Sequence, residues 1–212
     1  MKATIIHITV LAVLAVVLLS PCGCGSTKPA KFYRMQPSSG GYAKSKAAPA
    51  ALPVSVAIGP VEVPGYLAHP QIVTRKAGSE LGYSEYHRWA GTLQDNISDL
   101  LIDGVSTALA EEGVSVYSWD SRMPLDYQVE VRIKEFEGEP GKSVRLSAVW
   151  TVIRPGEQKV VASRRSVIEK NVQGKDYASY VEAMGGATAE LGREISDGLH
   201  ALHAGGTAPK DK

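Results

Sequence analysis

The sequence predicts an α+β domain, a mainly antiparallel sheet with two amphipathic helices packed on one face. Three observations carry this. Residues 127–133, 144–153 and 160–168 read as consecutive strands, the first of them strictly alternating between apolar and polar side chains. Gly138-Glu139-Pro140-Gly141 and Pro155-Gly156 lie between them as strong turns. Two long stretches, 92–113 and 175–203, repeat apolar residues every three or four positions, the period of a half-buried helix.

The elements follow in order. The domain begins near residue 53, where Val54, Val56 and Ile58 alternate with Ser55, Ala57 and Gly59 to about Val63. Pro64-Gly65 ends that strand, and Gln71–Arg75 is a second short extended run. Tyr83–Trp89 fits either a strand or the approach to a helix. The first helix carries Leu93, Ile97, Leu100, Leu101, Val105, Ala108 and Leu109 on one stripe, with Thr92 as N-cap, Asp95 three residues on and Gly113 as its stop. Val114 and Val116 open a short strand before the three-stranded meander. The last helix places Tyr177, Tyr180, Val181, Met184, Thr188, Leu191, Ile195, Leu199 and Leu202 on its stripe. Gly185-Gly186 sits inside it at a cost of about 1 kcal/mol per glycine, so a kink or a close neighbour is expected there.

Ahead of the domain, residues 1–23 read as a signal peptide: Lys2, then an apolar run from Ile5 to Leu19, then small residues. The run is shorter than the ~20 residues a spanning helix requires. The only two cysteines, Cys22 and Cys24, follow it directly. A cysteine in that place resembles a bacterial lipobox, whose thiol receives diacylglycerol and becomes the mature N-terminus. Cys24, preceded by Gly23, is the expected lipidation site. Cys22 is the alternative, with Leu19 three residues before it but Pro21 at the junction. Residues 24–52, rich in Gly, Ser, Ala, Pro and Lys, read as a flexible tether with a short strand candidate at Phe32-Tyr33-Arg34-Met35. Residues 204–212 read as a disordered tail.

Composition narrows the function. With Cys24 acylated, the mature chain has no free thiol, which excludes disulfides, thiolate catalysis and Cys-ligated zinc. Lys2 and five more of the 23 basic residues precede Val61, leaving 17 against all 22 acidic residues, a net of −5 in the body. An acidic body lacks the basic footprint that nucleic acid requires. The basic tether (Lys28, Lys31, Arg34, Lys44, Lys46) reads as a solvated linker, with contact to anionic head groups as the functional alternative.

No phosphate loop, dinucleotide fingerprint, metalloprotease helix or nucleophile elbow is present. His200 and His203 lie three apart near a helix end without a carboxylate or thiolate at ligand spacing, so they suit the helix dipole better than a metal. Glu111-Glu112 and Glu135, Glu137 and Glu139 read as solvated faces. No catalytic residue, cofactor or metal is expected. The distinctive segment is Ile58 to Leu93, with Pro60, Pro64 and Pro70, the aromatics Tyr66, Tyr83, Tyr86 and Trp89, and Arg75 and Arg88, a composition that interfaces favour. Trp89 and Tyr66, each taken alone, fit a core cap equally well.

Ile58 to Arg75, followed by Glu85 to Leu101, resembles the PqiC/YmbA family of ABC-transport auxiliary lipoproteins. The matching positions are Val63, Pro64, Tyr66, Leu67, Val73, Arg75, Arg88, Trp89, Ala90 and Leu93, with Thr92 where the family often has proline. The resemblance implies an outer-membrane lipoprotein facing the periplasm. It would act with an MCE-domain protein and inner-membrane transporter components to move lipids between membranes, as a non-catalytic docking or conduit subunit and a possible homo-oligomer. Pro64, Tyr66, Leu67, Arg75, Arg88 and Trp89 are then expected at the partner interface. A periplasmic lipid-binding carrier, which needs a large internal cavity, and a structural envelope lipoprotein unrelated to transport are the competing classes.

Overall fold

The computed structural model describes residues 28–36 and 54–206. The leader, Cys22 and Cys24 lie outside the described residues, as do 37–53 and 207–212. Eight strands and two helices follow in the order β1 (Lys31–Tyr33), β2 (Val54–Glu62), β3 (Gln71–Arg75), β4 (Leu81–Trp89), α1 (Leu93–Leu109), β5 (Val114–Ser118), β6 (Tyr127–Gly138), β7 (Ser143–Arg154), β8 (Lys159–Asn171) and α2 (Tyr177–Gly206). The fold is α+β, as the sequence predicts. None of the described helices is long and apolar enough to cross a membrane.

The strands form a five-stranded sheet of order β5-β2-β6-β7-β8 and a three-stranded sheet of order β1-β4-β3. The β6-β7-β8 meander is antiparallel, with Val131 opposite Trp150 and Trp150 opposite Arg164. Both sheets are nevertheless mixed. β2 lies between β5 and β6 and pairs with each in parallel, and β1 runs parallel to β4. The short turns of the meander dictate antiparallel neighbours locally, whereas β5 returns to β2 through α1, and such a crossover leaves the strands parallel.

Both helices cover the five-stranded sheet. Leu93, Ile97, Leu100, Leu101, Val105 and Leu109 of α1, and Tyr180, Val181, Met184, Leu191, Ile195 and Leu199 of α2, are buried against Val56, Ile58, Val129, Val131, Leu146, Ala148, Trp150 and Val152. Ala108, placed on the stripe by spacing, falls at its margin and is exposed. Close approach depends on missing side chains. A Cβ on Gly198 would lie 2.5 Å from the Trp150 ring, whereas one on Gly192 would sit 3.6 Å from Leu101, an ordinary contact. The Thr92 hydroxyl accepts a 3.0 Å bond from the Asp95 N–H, and Gly113 takes φ +71° where the chain leaves α1. At the start of α2 the Asp176 carboxylate accepts from the Ser179 N–H at 2.8 Å, which holds its pKa below the usual carboxylate value. α2 runs to Gly206, past the start of the predicted tail.

The stretch read as a tether contributes to the body. Residues 31–33 add β1 to β4, and Met35 is buried in the core. The Met35 N–H donates to Asn96 Oδ1 at 2.9 Å, and Arg34 pairs with Asp99 at 2.8 Å. The close neighbour expected at the glycine pair of α2 is met at Gly185: its Cβ position lies 2.6 Å from the Gln36 carbonyl oxygen, so the docked segment passes directly over it.

Candidate interaction surface

The segment from Ile58 to Leu93 builds the three-stranded sheet and its junction with the large one. Pro64 is half-buried, and its carbonyl accepts the Leu67 N–H at 2.8 Å to close a 3-10 turn over Gly65–Leu67. That turn drives Leu67 into the core at 2% exposure and leaves Tyr66 half-buried above Glu137. Trp89 is also core, at 3% exposure, its N–H held by the Pro70 carbonyl at 2.8 Å. Leu67 and Trp89 thus shape the surface from below.

Tyr66 and Arg75 meet at Glu137. The Tyr66 hydroxyl donates to Glu137 Oε2 at 2.6 Å, the Phe136 N–H donates to the same oxygen at 2.9 Å, and Arg75 pairs with Oε1. Burial, then the bond to Glu137, pushes the Tyr66 phenol well above its usual pKa. Arg75 also lies 3.6 Å from Glu135, which faces Arg145 at 3.4 Å. The chain Arg145–Glu135–Arg75–Glu137–Tyr66 therefore clamps β3 and the 3-10 turn onto β6. Tyr180 of α2 closes the same junction, donating to the Val73 carbonyl at 3.1 Å and reaching that of Gly138 at 3.4 Å.

Glu137 is not the solvated residue that its alternation with Glu135 and Glu139 suggests. A register shift in β6 between Ile133 and Glu135 breaks the period of two, so Phe136 and Glu137 are both buried. A single sequence gives little sign of such a bulge.

Arg88 occupies the middle of the small sheet, paired in register with Phe32 on β1 and Gln71 on β3. Its Nε is buried and has no hydrogen-bond partner. Around it the sheet exposes aromatic rings: Phe32 at 66%, Tyr83 at 46% and Tyr86 at 38%. In the sequence Phe32 stands out as part of a short strand candidate, not as an interface residue. Tyr83 packs edge-on against His69 with centroids 5.2 Å apart, and its hydroxyl donates to the Tyr66 carbonyl at 3.2 Å. His87 stacks on Tyr177 at 3.9 Å and bonds the Tyr33 hydroxyl at 2.8 Å through Nδ1. Burial, and next Lys31, holds its pKa below the usual imidazole value. His200 pairs with Glu112 at 2.9 Å, which raises its pKa. Among the described residues no three His, Cys, Asp or Glu side chains gather as a metal site.

The apolar gap under the ends of both helices, lined by Val54, Val56, Leu109, Val114, Tyr127 and Leu199, encloses about 10 Å³, barely the room of one water. A larger cleft of about 360 Å³ is open and polar, with Asp126, Arg154 and Glu157 on its rim.

Two crystal structures share this fold. One, of an uncharacterized protein, matches with a TM-score of 0.67 at 18% identity, covering 81% of this chain and 99% of that one. The other, protein XCC0632 from Xanthomonas campestris, matches with a TM-score of 0.61 at 18% identity, covering 79% and 93%. No curated protein sequence matches the chain. The sequence profile of the ABC-type transport auxiliary lipoprotein component matches residues 33–196, from the docked β1 through most of α2. The chain therefore belongs to the family of ABC-type transport auxiliary lipoprotein components.

Proposed function

We propose that the protein is an outer-membrane lipoprotein, acylated on Cys24, that serves an intermembrane lipid-transport system as a non-catalytic docking or conduit subunit. Its partners in this reading are an MCE-domain protein and the inner-membrane transporter components. The observation that carries the reading is the family match across most of the folded body, residues 33–196, preceded by an apolar leader that ends in a cysteine. Tyr66 and Arg75, held by Glu137, and Pro64 at the head of the 3-10 turn form the partner-facing part of the surface, with Leu67 and Trp89 fixing it from beneath. A pre-organised surface loses little freedom on binding. Homo-oligomerisation fits a docking ring.

The carrier alternative needs several hundred cubic ångströms of apolar cavity, whereas the apolar gap at the helix ends described above holds only about 10 Å³. Crosslinked pull-down of the lipidated protein from cell envelopes, read by mass spectrometry, tests the proposal. Recovery of an MCE-domain protein supports it. Recovery of the protein alone, or of unrelated envelope proteins, returns it to a structural lipoprotein.

A further inference from the structure

The docked β1 changes the reach of the anchor. Were residues 24–52 a free tether, the body would begin at Val54, some thirty residues from Cys24, which at about 3.5 Å per residue is roughly 100 Å of chain. Instead the chain joins the body at Lys31, only seven residues from Cys24, at most about 25 Å away. Met35, buried and bonded through its N–H to Asn96, and Gln36, whose carbonyl lies over Gly185, fix that attachment. β1 runs parallel to β4 with Lys31 opposite His87, so the residues leading back to Cys24 leave the sheet on the side of Tyr86.

What lies at that attachment suits a lipid interface. Phe32 and Tyr86 are exposed aromatic rings, the residue type that settles at head-group level. Lys28 and Lys31 are exposed at the anchor end of β1, Lys31 on the His87 face opposite Phe32, and no acidic residue occurs between Cys24 and Val61. Glu85 is the single acidic side chain on β1, β3 and β4. Arg88, register partner of Phe32, is half-buried with its Nε covered, which leaves the terminal nitrogens of the guanidinium, a group well matched to a phosphate, to face outward.

We infer that the Phe32 face of the three-stranded sheet rests on the bilayer that holds the lipid anchor, with Arg88 receiving a phospholipid phosphate. This rests on the lipoprotein reading above. It assigns Arg88 to the membrane and leaves Pro64, Tyr66 and Arg75 to the protein partner.

The test uses the full lipidated protein in vesicles of phosphatidylethanolamine and phosphatidylglycerol. Nitroxide labels are placed through Phe32→Cys, Tyr86→Cys and, on the outer face of the large sheet, Glu130→Cys. The unsubstituted protein controls for labelling at a native thiol. Labels at 32 and 86 are expected to relax more with dissolved oxygen than with an aqueous nickel chelate, and the label at 130 to show the reverse. Arg88→Gln is expected to lower the oxygen preference at 86 when phosphatidylglycerol is present. If the protein floats with the vesicles but 32 and 86 behave like 130, the inference is overturned and the lipoprotein reading stands. If the protein does not float, the anchor reading fails and the inference falls with it. Hydrogen exchange on the unsubstituted chain gives a second measurement free of variants: vesicles should slow residues 28–33 and 83–88, and unchanged rates there refute the contact.

Discussion

Replacing Gly185 with alanine should destabilise the protein, although the same change in a solvated helix stabilises it. Alanine gains about 1 kcal/mol over glycine in a helix interior. At Gly185, however, the new Cβ would lie 2.6 Å from the Gln36 carbonyl oxygen, a backbone atom that cannot simply rotate away. Relief requires residues 34–36 to lift. Lifting exposes Met35, buried to 4% exposure, at about 2–3 kcal/mol, and breaks its N–H bond to Asn96, worth about 1 kcal/mol. Set against the helical gain, the net loss is about 2–3 kcal/mol, or roughly 5–10 °C for a domain of this size. Gly104→Ala on α1, where a Cβ meets nothing within 4 Å, is the control and should gain about 1 kcal/mol. Thermal unfolding measures both. Limited trypsin digestion reads the local event, because release of β1 opens cleavage after Lys31 and Arg34. If Gly185→Ala is as stable as Gly104→Ala with unchanged cleavage, the docked segment does not depend on that contact and the reasoning fails.

Further outcomes follow from the clamp and the histidines. Arg75→Met should cost about 2–3 kcal/mol in urea unfolding: Arg75 is itself partly solvated, but Glu137 at 1% side-chain exposure is left with only Tyr66 and the Phe136 N–H. Adding Glu137→Gln should recover part of that loss, since the uncompensated buried charge is gone, and a double variant no better than the single one would place the cost elsewhere. Tyr66→Phe should cost about 1.5–3 kcal/mol, the range of one bond to a charged acceptor. His87 has a lowered pKa in the folded protein, so its contribution is complete above the ordinary imidazole value and is lost as the pH falls below it. His200, raised by Glu112, works in the opposite sense, its contribution present below the ordinary value and lost as the pH climbs through the folded one. Melting temperatures across about pH 5 to 8 should therefore lose acid sensitivity in His87→Gln and alkaline sensitivity in His200→Gln.

Sequence by itself determined what local physics determines. Apolar period marked both helices and the meander, Thr92 and Gly113 marked the ends of α1, and the turns at 138–141 and 155–156 set the antiparallel neighbours. The apolar leader with its terminal cysteines and the Pro-Tyr-Leu and Arg-Trp pattern were enough to suggest the family. Tertiary structure decided everything that depends on distant partners. β2 joins β5 and β6 in parallel because a crossover helix intervenes, which no strand pattern encodes. Glu137 is buried because a bulge turns it inward toward Arg75, more than sixty residues away along the chain. Leu67 and Trp89 became core, while Tyr66 beside the one turned its hydroxyl onto the buried Glu137 and Arg88 beside the other kept a buried Nε without a partner. Most consequential, part of a linker-like stretch became β1, because Met35 found a buried site against Asn96 and Thr188 while Gln36 passed over Gly185, surfaces that only the folded helices provide. Burial is a property of the assembled surfaces, and a composition that reads as flexible is overruled when one apolar side chain and three strand positions are given a place to dock.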